Sequence, residues 1–301
     1  MDEGEWLVQQ FEDNRPRLRA IAYRMLGSLT DADDALQDAW MRVSRAGTEN
    51  IENFSGWLTT IVARVCLNML RSRNTRREAP LDSYVPDPIV CREGELDPED
   101  ETLLADSVGL ALQVVMDTLS PAERLAFVLH DMFDLPFDEI SPMIGRSNQA
   151  TRQLASRARR RVRDVEIPDS EHDRTQHRAV VDAFFAAGRA GDFDALLALL
   201  HPSVVLRADF SPGSPARSTV VHGADAVARR ARLGGRTGGQ VHPVLVNGSP
   251  GVVITLGGRP YSVMAFSVVD NRIVEIDAIG DPQRVGRVAA AVLSGQHRAE
   301  R

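Results

Sequence analysis

Between Arg146 and Arg163 the chain holds its densest set of groups able to read another molecule. Gln149, Arg152, Gln153 and Ser156 recur at i, i+3, i+4 and i+7, which on a helix places them on one stripe. Amide and guanidinium side chains are the ones that form bidentate pairs with adenine and guanine edges in a major groove. Around them stand Arg157, Arg160 and four further arginines with no acid in the stretch, cations suited to phosphates and to setting register. A second acid-free run, Arg64 to Arg77, carries five arginines, and Thr60, Arg64, Asn68, Arg71 and Arg73 supply polar and cationic groups along a single helix. Between the two basic runs, Leu81 to Asp106 has nine acids against Arg92 alone. The net charge of −7 over 301 residues therefore conceals two basic patches on either side of an acidic connector. Every cation is arginine, since the chain contains no lysine, and arginine suits bidentate phosphate and base recognition.

The stretches that must position these groups are helical. Leu18, Ile21, Ala22, Met25, Leu26 and Leu29 form one apolar stripe, and Ala35, Leu36, Ala39, Trp40 and Val43 form the next. Thr30 followed by Asp33 has the spacing of a capping box at the start of the second helix. A third helix buries Phe54, Trp57, Leu58, Ile61, Val62 and Val65, completing a bundle. Residues 78–101 lack periodicity and hold Pro80, Pro86, Pro88 and Pro98, the signature of a linker. Apolar periodicity resumes from Leu103 to Leu119, and Ser120-Pro121-Ala122-Glu123 marks another helix start. Phe137 to Ile144, then Gly145-Arg146, then a helix capped by Ser147 predicts a helix-turn-helix. Pro142 inside the first of its helices predicts that this helix is short or starts late.

Beyond a polar boundary at 169–177 the pattern changes. Helices are expected around Arg174–Arg189, Asp192–Leu200 and Ala224–Leu233. Strands are expected at Val204–Ala208, Val241–Val246, Val252–Leu256, Tyr261–Val269 and Ile273–Ile279, with turns at Asn247-Gly248, Gly257-Gly258 and Asp270-Asn271. The fold class is multidomain: an all-α N-terminal half, bundle then helix-turn-helix, followed by an α+β domain with an antiparallel meander. No apolar stretch reaches the ~20 residues that span a bilayer, so no membrane association is expected. The acidic start, Met1-Asp2-Glu3-Gly4-Glu5, is unlike a secretory signal and points to the cytoplasm. Cys66 and Cys91 make neither a disulfide framework nor a cysteine-based metal site. Neither a metal nor a cofactor is expected.

Residues 1–165 resemble an extracytoplasmic-function (group IV) sigma factor of bacterial RNA polymerase. The likeness lies in Ala22-Tyr23-Arg24-Met25-Leu26-Gly27, in Asp31 to Trp40, in Trp57 to Arg64 and in the run Leu119 to Arg163. The rest resembles a cone-shaped SnoaL-like polyketide-cyclase domain, an appendage that defines a subgroup of these factors. The resemblance implies region 2 at 1–77, the acidic linker at 78–102, region 4 at 103–166 and the SnoaL-like domain at 173–301. It implies core RNA polymerase docking by Asp33, Asp34, Gln37 and Asp38 with Trp40 packed beneath. It implies minus-ten promoter DNA at Thr60, Arg64, Asn68, Arg71 and Arg73, where Asn68 replaces the family's more frequent aspartate. Minus-35 DNA would meet Gln149, Arg152, Gln153, Ser156, Arg157 and Arg160.

Tyr84-Val85-Pro86-Asp87-Pro88 resembles the subgroup's Trp-Leu-Pro-Glu-Pro motif, and Asp281-Pro282-Gln283-Arg284 loosely resembles its terminal Asn-Pro-Asp-Lys segment. Tyr84, Pro86, Asp87, Pro88, Asp281 and Arg284 are thereby expected to form a regulatory contact, with Arg284 and Arg287 as partners for Asp87. The subgroup's glycine-rich stretch survives only as Asp209-Phe210-Ser211-Pro212-Gly213. His201, His222, His242, Asp209, Tyr261 and Asp277 offer acid–base groups, but no pair has a diagnostic spacing, so no catalytic residue and no enzyme activity is expected. The expected function is promoter-specific initiation modulated by the C-terminal domain, the free protein a monomer with room for an unidentified small ligand in the cone. The rival readings are a one-component helix-turn-helix regulator with a ligand-binding domain and a cyclase- or isomerase-fold enzyme with a DNA-binding appendage. The first leaves Asp33–Val43 and Trp57–Arg77 without a purpose; the second requires acid–base turnover by the isolated domain.

Overall fold

A computed structural model describes residues 3–46, 51, 53–76, 84–93, 110–162, 171–211 and 218–293. The apolar stripes fold as helices α1 (Glu3–Leu26), α2 (Leu29–Val43) and α3 (Phe54–Arg76). Leu18, Ile21, Met25, Leu36, Leu58 and Val62 are buried where the three meet. Gly27 ends α1 with φ 72°, and the next residue, Ser28, is extended at φ −152° with its Oγ accepting from the Asp31 amide. The cap is therefore Ser28 and not Thr30, because an N-cap must be non-helical and Thr30 already lies in the first turn of α2.

Four further helices follow: α4 (Leu110–Asp117), whose residues 110–114 belong to the second unit, and, in the same compact unit as the bundle, α5 (Pro121–Phe127), α6 (Phe137–Ile144) and α7 (Asn148–Val162). The expected apolar helix from Leu103 thus begins at Leu110 among the described residues; 103–109 lie outside them. Ser120 and Glu123 form the full reciprocal capping box of α5, which satisfies two amides that the first turn leaves unpaired. A π turn, Val128–Met132, carries α5 onward. Helix α6 is only eight residues long with Pro142 inside it, and Gly145 at φ 73° turns the chain into α7. Ser141 Oγ donates to Thr151 Oγ1 at 2.9 Å, a buried link between the two helices of the helix-turn-helix. Arg124 on α5 is 2% exposed, and its Nε and Nη2 donate to the Arg24 carbonyl at 3.0 and 2.9 Å. A third contact pairs it with Asp117. This one side chain ties α5 to α1 and so joins the helix-turn-helix to the three-helix bundle.

The second unit comprises the described residues of 80–97, 107–114 and 165–301. Its sheet has seven strands: β1 (Val90–Cys91), β2 (Leu200–Asp209), β3 (Thr219–His222), β4 (Gln240–Val246), β5 (Ser249–Leu256), β6 (Arg259–Val269) and β7 (Arg272–Ile279), ordered β1-β4-β5-β6-β7-β2-β3. Strands β4 to β7 form the expected meander, and Asn247-Gly248 and Asp270-Asn271 have positive φ at both turn positions, as the twist of a tight hairpin demands. The sheet as a whole is mixed rather than antiparallel, because β2 lies parallel to β7. A parallel neighbour needs a crossover, and α10 (Ala224–Gly234) lies in the connection between β2 and the meander. Helices α8 (Glu171–Ala190), α9 (Phe193–Leu199) and α10 cover one face, burying Val181, Phe184, Leu196, Val227 and Phe266. The other face is covered by α11 (Pro282–Leu293) and the segment around Val85 and Val90.

Replacing Arg124 with Met leaves the Asp117 carboxylate and the Arg24 carbonyl without their cation. Urea unfolding of the N-terminal unit is expected to show a loss of about 3–5 kcal/mol, the range for breaking a buried pair from one side; an unchanged midpoint would contradict the anchoring role.

Candidate nucleic-acid interface

Helix α7 presents Gln149, Arg152, Gln153, Ser156, Arg157 and Arg160 to solvent while burying Thr151, Ala155 and Ala158. The helical period that put four of these on one stripe also puts small residues underneath, so α7 sits close on α5. Arg152 rests with its guanidinium 5.7 Å from the centre of the Phe137 ring, a contact that holds the side chain over α6 without consuming its donors. Not every cation of the helix is free for phosphate. Arg159 pairs with Asp131 at 2.6 Å and Arg161 with Glu123 at 3.3 Å; Arg163 lies outside the described residues. Burial raises the Asp131 carboxyl against the pull of Arg159 and His130. Burial acts the same way on Glu123, but the Ser120 hydrogen bonds, Arg161 and Arg157 outweigh it and hold that carboxyl below its ordinary value.

On α3, Arg64, Asn68 and Arg71 are exposed. Thr60 is half-buried, its Oγ1 donating to the Gly56 carbonyl at 2.9 Å. Arg73 differs from its neighbours: it pairs with Asp31 and donates to the Leu26 carbonyl at 3.1 Å, so its charge already serves the α1–α2 corner. The Trp57 ring meets Phe54 tilted at 5.4 Å, and Phe54 meets Trp6 edge-on at 5.0 Å, which makes Trp57 part of the packing. On α2, Asp33 pairs with Arg19 and Asp38 with Arg42. Asp34 and Gln37 are exposed, and Trp40 packs on Phe11 at 5.1 Å.

The linker motif and the chain's later segments come together in the second unit. Arg284 Nε donates to Asp87 Oδ1 at 2.5 Å and its Nη1 to Asp209 Oδ2 at 2.6 Å. Its Nη2 donates to the Val85 carbonyl, and the guanidinium lies 5.2 Å from the Tyr84 ring centre. Arg287 approaches Asp87 at 3.5 Å. Burial alone would lower the Arg284 pKa, yet Asp87, Tyr84 and Asp209 together raise it, so the guanidinium is held charged. Asp281 caps α11 by accepting from the Gln283 and Arg284 amides and from Ser211. Pro86 and Pro88 are buried.

Other partners had no signature in the sequence. Asn247 accepts from the Ile89 amide at 2.7 Å and returns its own amide to the Ile89 carbonyl at 2.8 Å. Arg92 donates to the Val292 carbonyl at the end of α11, and Arg178 joins Glu93 to the Gly251 and Val244 carbonyls. Asn247 was visible only as a turn residue, and Arg178 only as a cation on an amphipathic helix.

The acid–base candidates are scattered. His201 bonds to Ser203, His242 to Thr255 at 3.0 Å, and His222 is exposed. Asp277 is buried beside Arg207, and burial pushes its carboxyl up to about 6 against that cation. Only Tyr261 among the six lines the cavity of about 470 Å³ inside the domain. Burial pushes the Cys66 thiol up to about 12, which suppresses the reactive thiolate. Among the described residues no cluster of histidine, cysteine and carboxylate has a metal-binding arrangement, and no helix is long and apolar enough to cross a membrane.

Arg284→Gln removes the cation shared by two carboxylates and a carbonyl. The C-terminal unit is expected to lose about 3 kcal/mol in urea unfolding; no loss would mean that the cluster contributes nothing net.

Residues 10–76 match Sigma-70 region 2 and residues 109–162 match Sigma-70 region 4. The chain is 36% identical over 291 residues to the ECF RNA polymerase sigma factor SigJ of Mycobacterium tuberculosis, covering 92% of each. It is 34% identical to the probable ECF RNA polymerase sigma factor SigI of the same species, over 98% of this chain and 100% of that one. The crystal structure of M. tuberculosis SigJ superposes with a TM-score of 0.72 at 33% identity, over 92% of this chain and 97% of that chain.

Proposed function

This chain belongs to the extracytoplasmic-function sigma factors, and from that premise we propose how its surfaces divide the work of promoter-specific initiation. A sigma factor of this family binds core RNA polymerase and directs it to promoter DNA. Region 2 and region 4 are both present. The observation that carries the division of labour is the exposed, acid-free stripe of α7, backed by small buried residues. Gln149, Arg152, Gln153 and Ser156 read minus-35 base edges, while Arg157 and Arg160 hold phosphates. Arg64, Asn68 and Arg71 contact the minus-ten strand. Thr60 and Arg73, each already bonded within the bundle, support that surface by holding its shape and reach DNA only if those bonds exchange.

Asp34 and Gln37, exposed on α2, dock on core polymerase with Asp33 and Asp38, whose arginine partners Arg19 and Arg42 are solvent-accessible and replaceable. We read the C-terminal half as a SnoaL-like cone that works by binding rather than turnover, since its acid–base groups face different surroundings. It regulates the factor through the linker: Tyr84, Pro86, Asp87 and Pro88 are held by Arg284 and, behind it, Asp281. The protein acts as a monomer before it meets polymerase, works in the cytoplasm and uses no cofactor or metal.

In-vitro transcription with purified core polymerase tests the whole reading, the expected result being initiation at a subset of promoters. Arg152→Ala is expected to cost ~1–3 kcal/mol and to relax preference at one upstream base pair, whereas Arg160→Ala weakens binding to all sequences and flattens the salt dependence. Equal, sequence-blind losses from both would refute the stripe. Reversing charge at Asp34 and Asp38 together should abolish retention by core polymerase with the circular dichroism of the bundle unchanged; retained affinity in a pull-down removes α2 as the docking helix.

A further inference from the structure

The cavity in the C-terminal domain is lined mainly by hydrocarbon, from Phe184, Leu206, Val227, Ile254, Met264 and Ile276 among others. Its volume of about 470 Å³ lies within the range that encloses a drug-sized molecule. Two features give it a direction. At α8 and α10, Arg189 and Arg230 also line it, and among the described residues neither forms an ion pair or a hydrogen bond with a carboxylate. Beside them Leu233 is 67% exposed, an apolar side chain on the rim of an apolar hollow. A cavity with an oily interior and unengaged guanidinium groups in its wall matches a ligand with a hydrocarbon body and an anionic end.

The same cavity touches the strand that holds the linker. Ala208 and Phe210 line it. Asp209 stands between them, and its carboxylate accepts from the Val85 amide at 3.3 Å and from Arg284 at 2.6 Å. Strand alternation sends neighbouring side chains to opposite faces, so one short piece of β2 meets the cavity on one side and the linker on the other. The Phe210 ring occupies the space where Gly280 lacks a side chain, and the Gly280 amide donates to the Asp209 carbonyl at 2.8 Å. A shift of Phe210 therefore reaches both Asp209 and the start of α11.

We propose that this cavity is an effector site for an apolar carboxylate, a fatty or aromatic acid, paired at Arg189 and Arg230 and sensed by the linker through Ala208-Asp209-Phe210. The inference rests on the regulatory reading of the linker given above. Binding of acid repositions Phe210 and changes how firmly Asp209 holds Val85.

The test uses the full-length protein. Calorimetric titration with dodecanoate, naphthalene-2-carboxylate and methyl dodecanoate is expected to show saturable binding of both acids, with dodecanoate about tenfold tighter than its ester, the effect of one charged contact. In the Arg189→Ala/Arg230→Ala double variant, with Arg189 exposed and Arg230 half-buried, dodecanoate and its ester should bind alike. Hydrogen exchange at the Val85 and Ile89 amides should change severalfold on adding dodecanoate. The site is refuted if neither acid binds, if the ester binds as well as the acid, or if the double variant keeps the preference. Unchanged exchange in the linker with dodecanoate bound refutes the coupling. Promoter-specific transcription without acid, measured on the same preparation, separates the two readings: normal initiation by a protein that binds no acid removes the effector site and leaves the sigma-factor assignment untouched.

Discussion

A guanidinium withdrawn from water must have its donors met, or the charge costs more than the packing around it returns. Arg284 meets this demand by gathering Asp87, Asp209 and the Val85 carbonyl into one cluster, so that the 85–87 segment and Asp209, more than 100 residues apart, meet at one side chain. The linker is thereby fixed to α11 and to the end of β2. In the N-terminal unit Arg124 solves the same problem with the Arg24 carbonyl and Asp117. A chain without lysine builds its long-range ties from planar forks, which bridge several acceptors at once where a single ammonium would bind one or two. Buried Arg124 in one unit and half-buried Arg284 in the other organise what the apolar stripes alone would leave able to slide.

Legibility from sequence followed the range of the interaction. The exposed face of α7, the capping box at Ser120, the Ser147 cap and the β4–β7 turns rest on contacts within a few residues, and period and spacing display them directly. Ser28 was missed because the cap is defined by backbone dihedrals that Gly27 sets, whereas Thr30 merely has the right side chain. Strand β1 and helix α11 were not foreseen. Val90 and Cys91 pair with Val246 and Leu245, more than 150 residues away, and prolines and acids around them read as a spacer. The parallel pairing of β2 with β7 is likewise a property of the chain path and leaves no local mark.

The two basic helices illustrate how structure divides residues of one type. Sequence spacing could place Arg73 beside Arg64 and Arg71, and Arg159 and Arg161 beside Arg157 and Arg160, but it could not say which were already committed to carboxylates. The structure separates them: Asp31, Asp131 and Glu123 engage three of the arginines. The cations left exposed are a smaller and better-ordered set than composition implies. In the C-terminal domain the same sorting gives His201, His242, Asp209 and Asp277 each a different neighbour.

Strand β1 covers the edge of β4, and this gives the linker a second duty. An uncovered strand edge offers a row of unpaired amides and carbonyls to any passing chain. Val244, Val246 and Val253, beneath that edge, are apolar and buried. Without β1 on it, that edge would be an adhesive border through which two molecules could pair. Crowded or overproduced protein should find that border first.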